Sequence, residues 1–416
     1  MPRAPKSGRM TADDWLALRH EIIETFTPGT PINEAELFTG RAQTLCDLQD
    51  TVAEKGRHAI IFGDRGVGKT SVANIFHKPL HTETKPIYAI RVNGDSTTDF
   101  DSLWRKVFRR IKLITDNQPW WLDEAHPNKI TPDDVVIALG NFQPFQVPII
   151  ILDEFDKIID PACRTLVAET IKALSDDAVN CTVVIVGVAT SVSELIREHA
   201  SIPRALKQVP MLPMEKREIE DLVKRRIRRL RMSLSTGALW RISFFSAGLP
   251  FYAHSLGKHA ALKAVSDETR QIEEKHVLEA MRACMEDVDY SVRESYARAT
   301  LKSYRQGNIY PQVLAASALT ERDAIGQFGA ADCTAPLSAI MRAPYKTSAF
   351  SWHLKEMAES GRGSVLNKFE HKKTYRFCFR DPFMQPYIIM QSLADGYLTD
   401  EILKTFSVQF QRTLSI

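Results

Sequence analysis

Eight consecutive residues, Gly63-Asp64-Arg65-Gly66-Val67-Gly68-Lys69-Thr70, carry a phosphate-binding pattern in full. Glycines at 63, 66 and 68 let the backbone curl until successive N–H groups converge on phosphate oxygens, and Val67 lies within that curl. An apolar strand over 59–62 leads in, and a helix-like run over 71–76 leads out. The loop therefore opens onto a helix N-terminus, whose partial positive charge favours an anion, with Ser71 in its first turn. In that setting Lys69 reaches the β- and γ-phosphates of a nucleoside triphosphate, and the Thr70 hydroxyl ligates Mg2+.

A second run supplies the carboxylates that such a loop needs. Pro148-Ile149-Ile150-Ile151-Leu152 is an apolar strand that ends in Asp153-Glu154. At a strand end, Asp153 can hold the magnesium shell directly or through water. Glu154 can polarise an attacking water as general base. Asp156, one step further on, reads as a surface ion-pair former.

These residues need a scaffold, and the chain can build one. It has 416 residues, 44% of them hydrophobic and 25% charged, a composition that excludes a disordered or fibrous chain and leaves room for two to three domains. The net charge is only +3, so any basic site must be a local patch. The six cysteines form no CxxC pair, which argues against a disulfide framework or a zinc site and points to a reducing, cytoplasmic location. The first ten residues are basic without the apolar core of a signal peptide. No run is long enough for a membrane span, so no membrane partner is expected. Strand candidates at 58–62, 86–92, 148–152 and 181–186 are near-continuous apolar runs, as strands are when helices cover both faces of a parallel sheet. The fold class is therefore α/β, a parallel-sheet P-loop core with helical domains after it. Before it, Thr11-Ala12-Asp13-Asp14 makes a capping box for a helix whose apolar side is Trp15, Leu16, Leu18, Ile22 and Ile23. Trp120-Trp121 beside Pro119 reads as a loop, either a partner anchor or a packing cluster.

With these residues in place, the sequence resembles the AAA+ ATPases, most closely the branch that holds the archaeal Orc1/Cdc6 initiators and the STAND signalling ATPases. Phe38-Thr39-Gly40-Arg41 is similar to the F-x-G-R box before the phosphate loop. Leu152-Asp153-Glu154-Phe155-Asp156 resembles Walker B, Val186–Thr190 ends the strand of sensor 1, and Gly248-Leu249-Pro250 resembles the G-x-P element of STAND proteins. The resemblance implies ATP/ADP and Mg2+ as cofactors, with ATP held between core and lid. It further implies that Phe38, Gly40, Arg41 and Pro250 help frame the nucleotide and that Thr190 senses the γ-phosphate. Arg204, in Ser201-Ile202-Pro203-Arg204, falls at the place of an arginine finger acting on a neighbouring subunit of a homo-oligomer, with Arg197 as alternate. Two departures stand out. Thr190 replaces the usual sensor 1 asparagine, and no arginine follows Pro250 as sensor 2, where His254 is a substitute. A Thr190 hydroxyl can still position a water or touch the γ-phosphate, while the missing arginine implies slow hydrolysis or a switch that retains its nucleotide.

The expected domains are an N-terminal extension (1–30), the AAA+ core (31–212), a helical lid (213–290), a winged-helix domain (291–395) and a closing helix (396–416). The lid opens with eight Lys/Arg against three Asp/Glu over 216–231, a basic face apt for phosphates, a partner or plain solvent. Helices over 310–319, 334–341 and 347–359, followed by a hairpin over 363–379, suggest a winged helix. Its third helix would present Ser348, Ser351, His353 and Lys355 while burying Phe350 and Leu354. Lys355, Arg362, Lys372 and Lys373 are the candidate DNA contacts, the last two at the wing tip. The expected output is nucleotide-dependent assembly with DNA binding or remodelling. The alternative is a STAND-like switch that oligomerises and activates a protein effector.

Overall fold

The computed structural model describes residues 10–115, 118–142, 146–189, 192–196, 202–301, 308–323, 326–371 and 374–410. It divides into two compact units, Thr30–Leu212 and a second made of Met1–Gly29 with Pro213–Ile416.

The first unit is built on a parallel sheet. In chain order its strands are β1 (His58–Gly63), β2 (Ile87–Asn93), β3 (Lys112–Thr115), β4 (Gln118–Trp121), β5 (Val147–Asp153), β6 (Thr182–Val188) and β7 (Leu206–Met211). Five of them align as β2-β5-β6-β1-β7, and β3 and β4 form a separate antiparallel hairpin. Alternate residues leave opposite faces of a strand. Ile60, Ile90, Val92, Ile150, Leu152, Val183 and Ile185 join one core cluster with the helices Phe100–Phe108, Pro132–Gly140 and Pro161–Asp176. The interleaved Ala59, Ile61, Ile149, Ile151, Val184 and Val186 are equally buried. That two-sided burial is why the apolar runs are continuous. β7 was not expected from the sequence. It alternates polar and apolar residues and carries Pro210, which an edge strand tolerates. Trp121 also lies in a strand, not in a loop. The residue is 43% exposed, with the Lys112 ammonium 5.8 Å from the ring centroid.

The second unit begins with the helix Ala12–Thr25. Thr11 accepts from Asp14 N while the Asp14 carboxylate accepts from Thr11 N, closing the expected capping box. Leu18 and Ile22 are buried, but Leu16 and Ile23 are exposed, so the apolar stripe is narrower than its sequence pattern. The helices Lys216–Arg229, Thr236–Ser246, Pro250–Ser266, Glu274–Glu286 and Tyr290–Thr300 follow, with a short parallel pair, β8 (Ser233–Leu234) and β9 (Gln271–Ile272). Arg226 corrects the reading of 216–231 as one solvated basic face. It is 1% exposed, its Nη1 donates to Leu222 O, and burial lowers its pKa to about 10. The remaining order is helix Tyr310–Ala318, β10 (Phe328–Gly329), helices Thr334–Met341 and Ser351–Glu356, then the hairpin β11 (Leu366–His371) and β12 (Thr374–Phe379). Helices Met384–Ala394 and Asp400–Phe410 close the chain that is described. Arg241 stitches the unit together through ion pairs to Glu274 at 2.9 Å and Asp400 at 2.7 Å. Among the described residues, no helix is long and apolar enough to cross a membrane.

His58 gives the sheet a pH dependence. It is fully buried at the start of β1, and its Nδ1 accepts a 3.0 Å hydrogen bond from Val183 N. Protonation would set a donor against a donor, and burial pushes the pKa down to about 4. Below pH 6.5 the unfolded chain takes up a proton that the folded chain refuses, so stability falls as pH drops from 6.5 to 4. His58 alone accounts for about 3 kcal/mol across that window. Urea unfolding at stepped pH should show this slope, and His58→Gln, which keeps an acceptor for Val183, should make it shallower by the share that His58 contributes.

Candidate functional site

The phosphate loop leaves the C-terminal end of β1. Gly63 is required there: its φ is +145°, and a Cβ would stand 2.3 Å from Met211 O on β7. Gly68, at φ +94°, caps the helix Lys69–Ile75 that follows. Lys69 folds back into the loop and is only 8% exposed, its Nζ donating to Gly63 O at 3.0 Å and Asp64 O at 2.8 Å. Burial lowers its pKa to about 8, opposed by the carboxylates of Asp156, Asp64 and Asp153. A cation held among loop carbonyls, at the start of a helix, suits a polyphosphate.

The segment before the loop supports it from beneath. Arg41, at φ +60°, donates through Nη2 to Val67 O at 3.2 Å and also to Leu212 O. Its guanidinium therefore braces the loop backbone at buried Val67. Phe38 caps a short 3-10 turn, Ala35–Leu37, and Gly40 takes a positive φ ahead of Arg41. The Ser71 hydroxyl accepts from Ile32 N at 3.0 Å, which binds this segment to the loop helix.

The acidic pair ends β5. Asp153 is 2% exposed. Its Oδ1 accepts from Glu154 N at 2.8 Å, and its Oδ2 lies 2.9 Å from Arg91 Nη2, an ion pair without hydrogen-bond alignment. Glu154 takes a left-handed conformation, φ +54°, and its Oε1 accepts from Lys157 Nζ at 2.7 Å. A non-glycine residue in that region stores local strain. Asp156 is not a surface pair former: its Oδ1 accepts from Val188 N at 2.8 Å, clamping the end of β6. Thr190 lies two residues beyond that clamp and outside the described residues, as do Ser191 and Arg197.

Three residues that sequence reasoning passed over belong to this site. Arg91 pairs with Asp153. Asn74, on the loop helix, accepts from Arg91 Nη1 at 3.0 Å. Arg164 donates to three backbone carbonyls, Asp156 at 3.0 Å, Ile158 at 2.8 Å and Glu194 at 2.9 Å. For Arg91 a signal existed, a lone cation inside the apolar run Ile90-Arg91-Val92. Asn74 and Arg164 gave none.

The other candidates are dispersed. Arg204 is exposed on the short helix Ile202–Ala205, where its carbonyl accepts from Arg57 Nη1. In the second unit, Gly248 is left-handed and Pro250 starts the helix Pro250–Ser266. His254 is packed, with Nδ1 accepting from Thr27 N at 3.2 Å and burial holding its pKa well below the ordinary value. Phe350 and Leu354 are core as expected, but His353 is buried rather than presented, its ring against Tyr310. Arg362 is committed to its own unit: Nη1 donates to Leu301 O at 2.7 Å, and the guanidinium lies 3.8 Å from the Tyr310 ring centroid. Lys355 is exposed, 4.6 Å from the Tyr375 centroid. Lys372 and Lys373 lie outside the described residues.

Residues 52–196, which contain both the phosphate loop and the acidic strand end, match the AAA domain family. This segment is similar to AAA domains. The solved structures extend the fold comparison beyond it. The ORC2 protein of Aeropyrum pernix, described with ADPNP and ADP, aligns with a TM-score of 0.51 at 12% identity, over 94% of this chain and 98% of that one. A Walker-type ATPase of Pyrococcus abyssi aligns at 0.50 and 16% identity, over 88% and 99%. No curated protein matches the chain. The parallel-sheet core thus has the P-loop AAA+ fold.

The Lys69 amine should titrate near pH 8, well below an ordinary lysine, in NMR of the 13C-methylated protein. Asp156→Asn should move it lower still, because it removes the first of the three carboxylates that oppose burial.

Proposed function

We propose that this chain binds ATP with Mg2+ on the 63–70 loop, hydrolyses it slowly, and assembles in a nucleotide-dependent way to bind or remodel DNA. The observation that carries the reading is the convergence of Lys69 and Asp153, two nearly buried opposite charges, at the C-terminal ends of β1 and β5. Charge complementarity to a triphosphate and its metal is what that arrangement offers.

The donor set fits magnesium, a hard cation that takes oxygen ligands. Thr70 and Asp153 would hold it, and Asp153 Oδ2 is buried without a hydrogen bond of its own. When bound, the ion would neutralise charge building on the phosphates. Glu154 would orient the attacking water once its carboxylate leaves Lys157. Asp156 would set where the Thr190 segment begins, and Arg204, exposed, would reach the nucleotide of a neighbouring copy. Arg41 would act by bracing the loop and not by touching the base. Slow turnover follows from a strained, ion-paired Glu154 and from the first turn of Pro250–Ser266, where the candidate His254 is packed away.

The order helix, strand, helix, helix, hairpin over 310–379 supports a winged helix. Lys355, Lys372 and Lys373 are the DNA contacts that reading retains, while Arg362 serves packing. The Gly248–Pro250 element favours a second reading, a STAND-like switch that oligomerises onto a protein effector.

Fluorescence anisotropy with a random duplex, in ATP, in ADP and without nucleotide, at two salt concentrations, tests the choice. ATP-enhanced, salt-sensitive binding that drops about tenfold in the Lys372→Ala/Lys373→Ala protein is expected, since lost phosphate contacts weaken binding and its salt slope. Absence of duplex binding in every state would transfer the proposal to the effector switch.

A further inference from the structure

Arg91 is the one guanidinium within ion-pair distance of Asp153 among the described residues. It reaches Asp153 for a geometric reason. In the β2–β5 register, Arg91 faces Ile151 and Asn93 faces Asp153, so Arg91 and Asp153 are diagonal neighbours on one face of the sheet. The fork of the guanidinium is shared. Nη2 lies 2.9 Å from Asp153 Oδ2, and Nη1 donates to Asn74 Oδ1. Asn74 in turn donates to Asn33 Oδ1 at 2.6 Å, while the Arg91 carbonyl accepts from Arg110. A cation fixed at two points, beside a carboxylate that is almost wholly buried, is a built feature.

We propose that Arg91 is a positioning residue that occupies and partly neutralises Asp153, and so sets how much magnesium the site needs before the metal engages. The proposal rests on the nucleotide reading above, since it concerns the metal that Asp153 would hold there. The sign follows from charge alone. A fixed positive group beside a ligand carboxylate opposes a divalent cation whether the metal displaces the guanidinium or binds next to it. Removing the cation must tighten magnesium binding. Releasing its second anchor leaves the charge but no longer pins it, so the guanidinium can swing off the carboxylate as the metal enters, and the requirement should fall to a smaller degree. An arginine that served only the fold would give neither effect.

The experiment titrates Mg2+ against a fluorescent ADP analogue bound to the full chain and reads the half-saturating magnesium concentration, with EDTA as the metal-free reference. Arg91→Met should lower it by about tenfold, the order expected for one nearby charge. Arg91→Lys, which keeps the charge, should stay within about twofold of the parent. Asn74→Ala leaves the buried ion pair intact and guards against an Arg91→Met protein that fails to fold; it should lower the value by about threefold. With Asp153→Asn added to both, the parent and the Arg91→Met protein should no longer differ. An unchanged or raised magnesium requirement in both Arg91→Met and Asn74→Ala would overturn the inference while nucleotide binding by the parent stands. A parent that binds no analogue with or without magnesium would overturn the nucleotide reading and this inference together.

Discussion

Lys69 and Asp153 are opposite charges that the fold removes from water, and much of the first unit can be read as the means of keeping them there. An ion in a low-dielectric setting is tolerated only with charged or strongly polar partners close by. Lys69 has two loop carbonyls and three carboxylates within electrostatic reach. Asp153 has the Glu154 amide and the Arg91 guanidinium. Each partner is itself fixed. Gly63 must pass within contact of Met211, Arg91 needs its register with β5, and the loop needs Arg41 under Val67. Strand order β2-β5-β6-β1-β7 satisfies these demands together, because it sets the end of β5 between the strand that carries Arg91 and β6, whose end Asp156 holds, with β1 and the loop to Lys69 next in line.

The parts of this arrangement that were legible in the sequence are those written in local pattern. Continuous apolar runs marked β1, β5 and β6, because burial on both faces leaves no room for polar alternation, and the edge strand β2 was legible through Ile87, Ile90 and Val92, which are buried. The glycine spacing marked the loop, and the strand-terminal Asp153-Glu154 marked the acidic edge. β7 escaped because an edge strand need not be apolar throughout and can hold Pro210. The β3–β4 hairpin escaped because Pro119 beside two tryptophans reads as a turn.

Side-chain partnerships were less legible, for a different reason. Arg226 sits in a run of cations that looks solvated, yet helical rotation turns it inward. Arg362 sits in a basic stretch and commits its charge to Leu301 O and the Tyr310 ring. His353 falls on a helix face that the pattern assigned to solvent, and the Tyr310 and Trp352 rings cover it. Each outcome depends on partners from distant parts of the chain or on which face a turn selects, and neither is encoded in spacing. Asp156 is the converse: it looked incidental and turned out to fix Val188.

Arg164 gives the site a mechanical property. One planar group on the helix Pro161–Asp176 grips the backbone after the acidic pair, at Asp156 and Ile158, and the backbone after β6, at Glu194. Because a guanidinium cannot flex, the two loops are coupled like teeth on a single gear. A shift of that helix would be passed to both stretches of backbone, so the segment after the acidic pair and the segment after β6 would move together.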